Sequence, residues 1–131
     1  RIYSSRSKSL RRKITNEGEM ESVLKSFGFE SFCLESLSFS EQRKLMSEST
    51  LIVSNHGAGL TNMIFLPENS KVLELKADVR TINNCYFNLA RALDHEYYYL
   101  LNESDSEDIQ KANIIVNTDK LRSTLENILQ C

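Results

Sequence analysis

The stretch LIVSNHGAGLTN at residues 51–62 decides the fold, because a short apolar run leads through small residues into a helix-like segment. The run LIV at 51–53 is wholly apolar, as strands buried on both faces of a parallel sheet are. The helix predicted over residues 57–65 is ended by Pro67. In α/β sheets of this kind, ligands bind beyond the carboxyl ends of the strands, so the same stretch is the first candidate site.

Short apolar runs alternate with amphipathic stretches on both sides of this segment, which is typical of a parallel sheet covered by helices. Strands are predicted at residues 2–5, 29–35, 51–54, 72–75, 97–101 and 114–116. Helices are predicted at residues 17–27, 40–49, 57–65 and 84–93, with a closing helix that begins near Thr118 or Asp119. We therefore expect a single α/β domain over residues 1–131, a Rossmann-like parallel sheet with helices on both faces, whose strand order stays open.

Polar and small residues predict where the first two helices begin and end. Asn16 can cap the first helix, with Glu19 at its third position as in a capping box. Gly28 follows the last apolar residue of that helix and is expected to end it. Ser40 is the predicted N-cap of the second helix.

The charge of the chain is unevenly distributed, although the net charge is only −2. That sum argues against general nucleic-acid binding. The first thirteen residues contain six basic side chains and no acidic one: Arg1, Arg6, Lys8, Arg11, Arg12 and Lys13. A basic stretch of this kind is either a solvated face or a source of cations for an anion site.

Targeting and membrane signals are not visible in the sequence. No apolar run approaches the roughly 20 residues that span a bilayer, so no direct membrane span is predicted. No signal-peptide pattern opens the chain, because residues 1–13 are polar and basic. The first residue is not Met, so we expect the chain to be part of a longer protein.

Residues 55–60 have the features of a phosphate-binding turn. A helix N-terminus offers free backbone N–H groups and about half a positive charge, and Gly57, Ala58 and Gly59 leave space for an anion. His56 at the tip can donate a hydrogen bond to a phosphate oxygen. The glycine spacing fits neither the dinucleotide fingerprint nor the P-loop. The structural alternative is a tight turn that lets the helix pack close to the sheet.

A longer set of residues resembles glycosyltransferase family 61. The set comprises HGAGLTN at 56–62, IFLP at 64–67 and VLEL at 72–75, together with Arg6, RR at 11–12, Ile14 and NE at 16–17. The similarity covers about residues 2–76, and the combination is much more specific than any one of its parts. Members of this family modify proteins in the secretory pathway, decorate plant xylan or build bacterial capsular polysaccharide.

The resemblance implies a transferase of the GT-B type, in which two Rossmann-like domains face a cleft and the C-terminal one holds the nucleotide sugar. This chain resembles that donor-binding half, so a missing N-terminal domain with the general base is implied, and the isolated domain is expected to be inactive. The implied reaction is inverting, uses a UDP-sugar, needs no metal ion or cofactor, and transfers the sugar to a hydroxyl of a glycan or protein. The implied location is cytoplasmic for a bacterial enzyme and the endoplasmic reticulum or Golgi lumen for a eukaryotic one.

The resemblance also implies roles for individual residues. The catalytic groups that stabilise the leaving diphosphate are expected to be His56 and Arg6. The donor phosphates are expected to contact Gly57, Ala58, Gly59, Leu60 and Arg11, and the sugar or ribose Glu74 and Asn62. At most one of Arg11 and Arg12 is expected to face the ligand. The structural alternatives are a surface charge for each arginine, a paired core carboxylate for Glu74 and packing against a loop for Asn62.

Other function classes are also compatible with parts of the sequence. HGAG at 56–59 is similar to the HGGG oxyanion loop of lipases and esterases, but that class needs a Gly-x-Ser-x-Gly turn, which this sequence lacks. Two isolated histidines do not make a metal-ligand cluster. A non-catalytic module that binds a nucleotide or phosphate is the main alternative to the transferase.

Overall fold

The computed structural model describes residues 1–130 and shows strands and helices alternating along the chain. The strands are β1 (Ile2–Ser4), β2 (Glu30–Phe32), β3 (Leu51–Asn55), β4 (Lys71–Ala77), β5 (Glu96–Ser104) and β6 (Ile114–Ile115). The α-helices are α1 (Glu17–Ser26), α2 (Phe39–Ser47), α3 (Cys85–Ala92) and α4 (Thr118–Gln130). Two 3₁₀ helices cover Leu34–Ser36 and Ala58–Phe65. Within residues 1–130, no helix combines the length and the apolar character that crossing a membrane requires.

The strands form one sheet in the order β2-β1-β3-β4-β5-β6. Strands β1 to β5 run parallel, and the short β6 pairs antiparallel with the end of β5. The order 2-1-3-4-5 is that of a doubly wound fold, whose topological switch point lies between β1 and β3. The predicted Rossmann-like sheet is therefore confirmed, and the strand order locates the edge at which such folds bind ligands.

Two buried clusters cover opposite faces of the sheet, which explains why the central strand β3 is apolar on both sides. Leu51 and Val53 join the cluster that includes residues of α1 and α4, whereas Ile52 joins the cluster of α2, α3 and the second 3₁₀ helix. Successive side chains of a strand point to opposite faces. Each fully buried aliphatic side chain contributes about 1.5–3 kcal/mol of hydrophobic free energy.

The helix ends differ from the predictions at two N-caps. Asn16 makes no capping hydrogen bond, because its side chain donates to the carbonyl of Val116 and accepts from the Val116 amide. Ser38, and not Ser40, caps α2 and forms a capping box with Glu41. Gly28, with φ 80°, follows α1 as predicted. Asn16 therefore links the start of α1 to the segment before α4, a contact that local spacing does not show.

The helix predicted after β3 is a 3₁₀ helix, which covers Ala58–Phe65. Its amides bond three residues back, as the Leu60 amide does to the carbonyl of Gly57 over 3.0 Å. The buried residues Leu60, Met63 and Leu66 recur at every third position, which matches the period of a 3₁₀ helix. This spacing of large apolar side chains is the sequence signal that separates the segment from an α-helix.

Candidate functional site

The carboxyl ends of β1 and β3 lie side by side at the switch point of the sheet. The loop after β1 covers residues 5–16, and the turn after β3 is formed by His56 and Gly57. Because the chain leaves these two strands toward helices on opposite faces, a crevice forms between them. The candidate residues of both segments therefore meet at one place.

Gly57 is where the two segments meet. A methyl group built on Gly57 would lie 2.7 Å from Nη1 of Arg6 and 3.7 Å from Nη1 of Arg12. The Arg6 guanidinium thus occupies the space that a side chain at this position would need. The backbone of Gly57 is extended, with φ 164°, so glycine serves close approach here and not conformational freedom.

The guanidinium groups of Arg6 and Arg12 have no carboxylate partner. Within residues 1–130, no salt bridge includes either arginine. Nη2 of Arg6 donates to Oγ of Ser9 over 2.8 Å, but the Nε atoms of both arginines are buried without a partner. Burial and then the positive charge of Arg12 lower the pKa of Arg6, against an opposing effect of Glu35. Two partly buried cations that repel each other favour an anion between them.

Arg12, and not Arg11, lies beside Gly57, and the phosphate contact predicted for Arg11 stays a prediction. Arg12 has a left-handed backbone, with φ 55°, and its carbonyl accepts a 2.5 Å hydrogen bond from Nδ2 of Asn55. Nη1 of Arg12 lies 3.5 Å from the carbonyl oxygen of His56. Arg11 is exposed. Asn55, to which the sequence assigned no separate role, thus holds the loop that turns Arg12 toward Gly57.

In the turn after β3, one backbone amide donates to a protein carbonyl, and two others have no acceptor within the described chain. The Leu60 amide donates to the Gly57 carbonyl, and the Leu60 side chain is fully buried. Within the described chain, the amides of Ala58 and Gly59 have no acceptor. Leu60, predicted to contact phosphate through its amide, therefore has no free donor in this arrangement, whereas Ala58 and Gly59 keep theirs.

His56 and Glu74 form a hydrogen-bonded pair beside the arginines. Nδ1 of His56 lies 2.8 Å from Oε2 of Glu74, and the hydroxyl of Tyr97 donates to Oε1 over 2.8 Å. Glu74 is 0% exposed, so each carboxylate oxygen is reached by a protein donor and not by water. Burial and then the charge of Glu74 raise the pKa of Tyr97, which keeps its hydroxyl protonated as a donor. The predicted contact of Glu74 with ribose or sugar stays a prediction.

Nε2 is the atom of the His56 ring that is left for a ligand. Nδ1 is committed to Glu74, and Nε2 has no partner within residues 1–130. The ring packs edge-on against Tyr86, with the centroids 5.1 Å apart, and the side chain is 13% exposed. His56 and Arg12 also line one small cavity together with Lys76. Nδ1 of His56 is therefore bonded inside the fold, whereas Nε2 is unbonded within the described residues.

A pocket of about 350 Å³ opens beside Arg6. Small polar side chains and glycine make up much of its lining, among them Ser4, Ser5, Ser54, Gly59, Gln42 and Asn62. Nδ2 of Asn62 donates to Oε1 of Gln42 over 3.1 Å, and Nε2 of Gln42 donates to the carbonyl of Leu34 over 2.7 Å. Asn62 thus lies at the site predicted for it, and its contact with a sugar stays a prediction.

A second pocket of about 630 Å³ lies between one face of β5, the segment after β4 and the start of α3, and no residue of it was assigned to a site from the sequence. Its apolar lining comprises Ile82, Phe87, Tyr97, Tyr99 and Leu101. Ile82 and Tyr99 are 75% and 58% exposed. Lys76 lines this pocket and also the cavity next to His56 and Arg12. Apolar residues in a strand normally indicate a buried core, so the sequence alone does not predict that these residues line an open pocket.

Comparison with known proteins places these residues in a family. The family model described as Glycosyltransferase 61 matches residues 1–73, which is more than half of the chain. The chain belongs to glycosyltransferase family 61. Arg6, Arg12 and the turn from His56 to Gly59 lie inside the matched region, and Glu74 directly follows it.

The curated relatives of this family 61 chain include N-acetylglucosamine transferases. The EGF domain-specific O-linked N-acetylglucosamine transferase of Gallus gallus is 37% identical over 87 residues, which cover 61% of this chain and 16% of that protein. The protein O-linked-mannose beta-1,4-N-acetylglucosaminyltransferase 2 of Xenopus laevis is 40% identical over 72 residues, which cover 53% of this chain and 12% of that protein. The chain thus spans less than a fifth of the length of these relatives.

Proposed function

We propose that this chain is the donor-binding domain of a GT-B glycosyltransferase and that it binds the diphosphate of a UDP-sugar at the switch point of its sheet. The observation that carries the proposal is the pair of guanidinium groups from Arg6 and Arg12, which meet at Gly57 and have no carboxylate partner within residues 1–130. Membership of family 61 supports glycosyl transfer as the reaction. The names of the relatives make N-acetylglucosamine the first sugar to test.

The proposed reaction is an inverting displacement in which an acceptor hydroxyl of a glycan or protein attacks the anomeric carbon. The bond from that carbon to the β-phosphate oxygen breaks as the glycosidic bond forms, and the diphosphate gains negative charge. Donors prearranged around that charge lower the barrier, and the loss of one such donor costs about 3–4 kcal/mol. The acceptor proton passes to a general base, which we assign to a second domain outside residues 1–131.

Each group at the site has a task in this scheme. Arg6 and Arg12 place two positive charges on the phosphate oxygens, and the anion offsets their mutual repulsion. The free amides of Ala58 and Gly59 donate to the same oxygens, as amides at helix N-termini do. Nε2 of His56 adds a further charged donor when the ring is protonated. Donors of three kinds therefore surround one position.

We propose that this positive charge replaces a divalent cation, so that the reaction needs no metal ion. Within the described chain, no three His, Cys, Asp or Glu side chains are grouped to hold a metal. The support for metal independence is the arginine pair itself, because two guanidinium groups can neutralise the two negative charges of the diphosphate.

We propose that the sugar and the nucleoside extend from the phosphate position into the two pockets. The smaller pocket, beside Arg6 and Asn62, is lined by hydroxyl and amide groups that suit a sugar. The larger pocket contains Phe87 and Tyr99, and aromatic side chains of this kind stack on nucleobases. The cavity beside His56 and Arg12 shares Lys76 with the larger pocket, and Arg6, whose guanidinium lies at Gly57, lines the smaller pocket.

Calorimetry with UDP-N-acetylglucosamine tests the donor-domain proposal. The chain should bind this ligand with a Kd in the millimolar range or tighter, and EDTA should leave the Kd unchanged. UMP lacks the second phosphate and is the matched control, which we expect to bind about tenfold more weakly because fewer charge-assisted hydrogen bonds form. No heat of binding at millimolar UDP-N-acetylglucosamine would remove the proposal.

A non-catalytic module that binds a nucleotide or phosphate is the alternative function. Such a module also binds the ligand, so the deciding measurement is transfer of N-acetylglucosamine by a longer protein that contains this domain. We expect transfer to a hydroxyl acceptor in the presence of EDTA, and its loss in the Arg6→Ala variant. Tight donor binding without transfer to any hydroxyl acceptor would favour the module.

A further inference from the structure

Glu74 is a charged residue of β4 with no exposed surface, a position that is costly unless partners neutralise the charge. Its partners are Nδ1 of His56 and the hydroxyl of Tyr97, each 2.8 Å from a carboxylate oxygen. Tyr97 is uncharged, so of these two direct partners only His56 can supply a compensating positive charge. A buried carboxylate paired in this way favours a ring that keeps its proton on Nδ1.

The same hydrogen bond decides what Nε2 of His56 offers to a ligand. In the neutral ring with the proton on Nδ1, Nε2 is an acceptor and repels a phosphate oxygen. In the imidazolium, both nitrogens are donors, so Nδ1 serves Glu74 while Nε2 serves the anion. The carboxylate of Glu74 and a phosphate on the opposite side of the ring therefore both favour the charged form.

We infer that Glu74 is a positioning residue for donor binding, which holds His56 as an imidazolium with its Nε2–H turned to the leaving phosphate. The inference rests on the proposed function, because the ligand of Nε2 is the diphosphate of the donor. Tyr97 bonds the second carboxylate oxygen and so fixes the orientation of Glu74. Glu74 acts through His56 and does not itself contact the donor.

The charge of His56 responds to every ionisable group packed around it. Glu74 and Tyr86 contact the ring, Arg12 and Lys76 line the same cavity, and Arg6 lies beside the next residue, Gly57. Glu74 favours the imidazolium, whereas the cations oppose it, and Tyr86 stays neutral because burial raises its pKa. The bound diphosphate adds negative charge, so donor binding and protonation of His56 support each other. Affinity should therefore fall as the pH rises and the ring loses its second proton.

The test compares Glu74→Gln, His56→Gln and the double variant in calorimetry with UDP-N-acetylglucosamine. Both ends of the diphosphate are esterified in this ligand, so the ligand does not titrate across the histidine range of about pH 5 to 8. Each single variant should bind about tenfold more weakly than wild type at the acidic end, as expected for a lost charge-assisted hydrogen bond. The pH dependence should flatten in both, and the double variant should be no weaker than either single one.

Two outcomes would overturn the inference while leaving donor binding intact. If Glu74 touches the ribose itself, the double variant should lose the product of the two single losses, as independent contacts do. If Glu74 does not control the ring, Glu74→Gln should keep the wild-type pH dependence. Circular dichroism establishes whether each variant is folded.

Nitrogen-15 NMR of the wild-type imidazole is a second measurement that needs no variant. We expect both ring nitrogens of His56 to carry protons with the donor bound, and Nδ1 to keep its proton without the donor. A ring with its only proton on Nε2 contradicts the inference, because Nδ1 would then accept from a protonated Glu74. If the wild type binds no donor, the proposed function fails, whereas the NMR result still decides the state of the pair.

Discussion

Two pairs of ionisable side chains lie next to one another at the carboxyl edge of the sheet, and they differ in whether their charges have a partner. Arg6 and Arg12 carry like charges without a carboxylate partner, whereas His56 is paired with buried Glu74 at 2.8 Å. A charge paired inside a protein is neutralised by the fold, but unpaired and partly buried cations keep their attraction for an anion. The comparison indicates that the arginines supply affinity for the ligand charge and that the pair orients one donor toward it.

The largest expected effect comes from Gly57→Ala, which disturbs the position of the Arg6 guanidinium beside the turn. The added methyl group would lie 2.7 Å from Nη1 of Arg6, so the flexible guanidinium has to move away. The affinity for UDP-N-acetylglucosamine should fall about 100-fold, because a charged donor and the space for phosphate are lost together. Gly57→Val should be at least as severe.

Gly18→Ala is the matched control for this substitution. Nothing lies within 4 Å of a methyl group added at Gly18, which is exposed in α1, so its affinity should equal that of wild type. Calorimetry measures all three variants, and circular dichroism checks their folding. Wild-type affinity in Gly57→Ala would show that the phosphates bind elsewhere.

Arg6→Ala and Arg12→Ala are expected to have the next largest effect. Each removes one of the two cations without a carboxylate partner and should weaken donor binding about 10- to 30-fold. The free energy of unfolding should change by less than about 0.5 kcal/mol, because neither arginine has a salt bridge to lose. Arg11→Ala is the control, since Arg11 is exposed. Equal losses in Arg11→Ala and Arg12→Ala would contradict the placement of Arg12.

The smallest expected effect is on the pH dependence of the free energy of unfolding, and it tests the hydrogen bond from Tyr97 to Glu74, the partner of His56. Burial and then the charge of Glu74 raise the pKa of Tyr97 above its ordinary value of 10.0. Above that pH the folded state binds more protons than the unfolded state, so the free energy of unfolding falls as the pH rises. The fall should be shallower in Tyr97→Phe, and Tyr3, whose pKa is also raised, should leave a residual slope.

Urea unfolding at about pH 9 and about pH 11 measures these slopes. Tyr99→Phe is the control, because the Tyr99 side chain is 58% exposed and should have the wild-type slope. The same slope in Tyr97→Phe and Tyr99→Phe would be evidence that Tyr97 is not held as the neutral donor to Glu74.

Much of the fold follows from patterns that are local in the chain. The apolar run at 51–53 predicted a central buried strand, and the spacing near Thr118 predicted the start of α4. The helix predicted over residues 57–65 is present as a 3₁₀ helix over Ala58–Phe65, in which Leu60, Met63 and Leu66 follow a three-residue period. Elements were therefore predictable where residue type and spacing favour one conformation over its neighbours.

Contacts between distant parts of the chain were not predictable in the same way. Asn16 bonds Val116 across 100 residues, although its neighbours suggest a helix cap. Arg12 has a left-handed backbone that is held by Asn55, and this conformation turns Arg12, and not Arg11, toward Gly57. Nothing in the residue types distinguishes Arg11 from Arg12, because the choice depends on one backbone rotation that a partner far along the chain stabilises.

The sequence by itself determined the α/β class, the resemblance to family 61 and the position of the candidate phosphate turn, because these depend on residue types at short spacing. Only the tertiary structure decided the strand order, the burial of Glu74 against His56 and the absence of a carboxylate partner for Arg6 and Arg12 within the described chain. The physical reason is that a charge is paired or unpaired according to which residues the fold brings within hydrogen-bond distance, and sequence separation does not measure that distance.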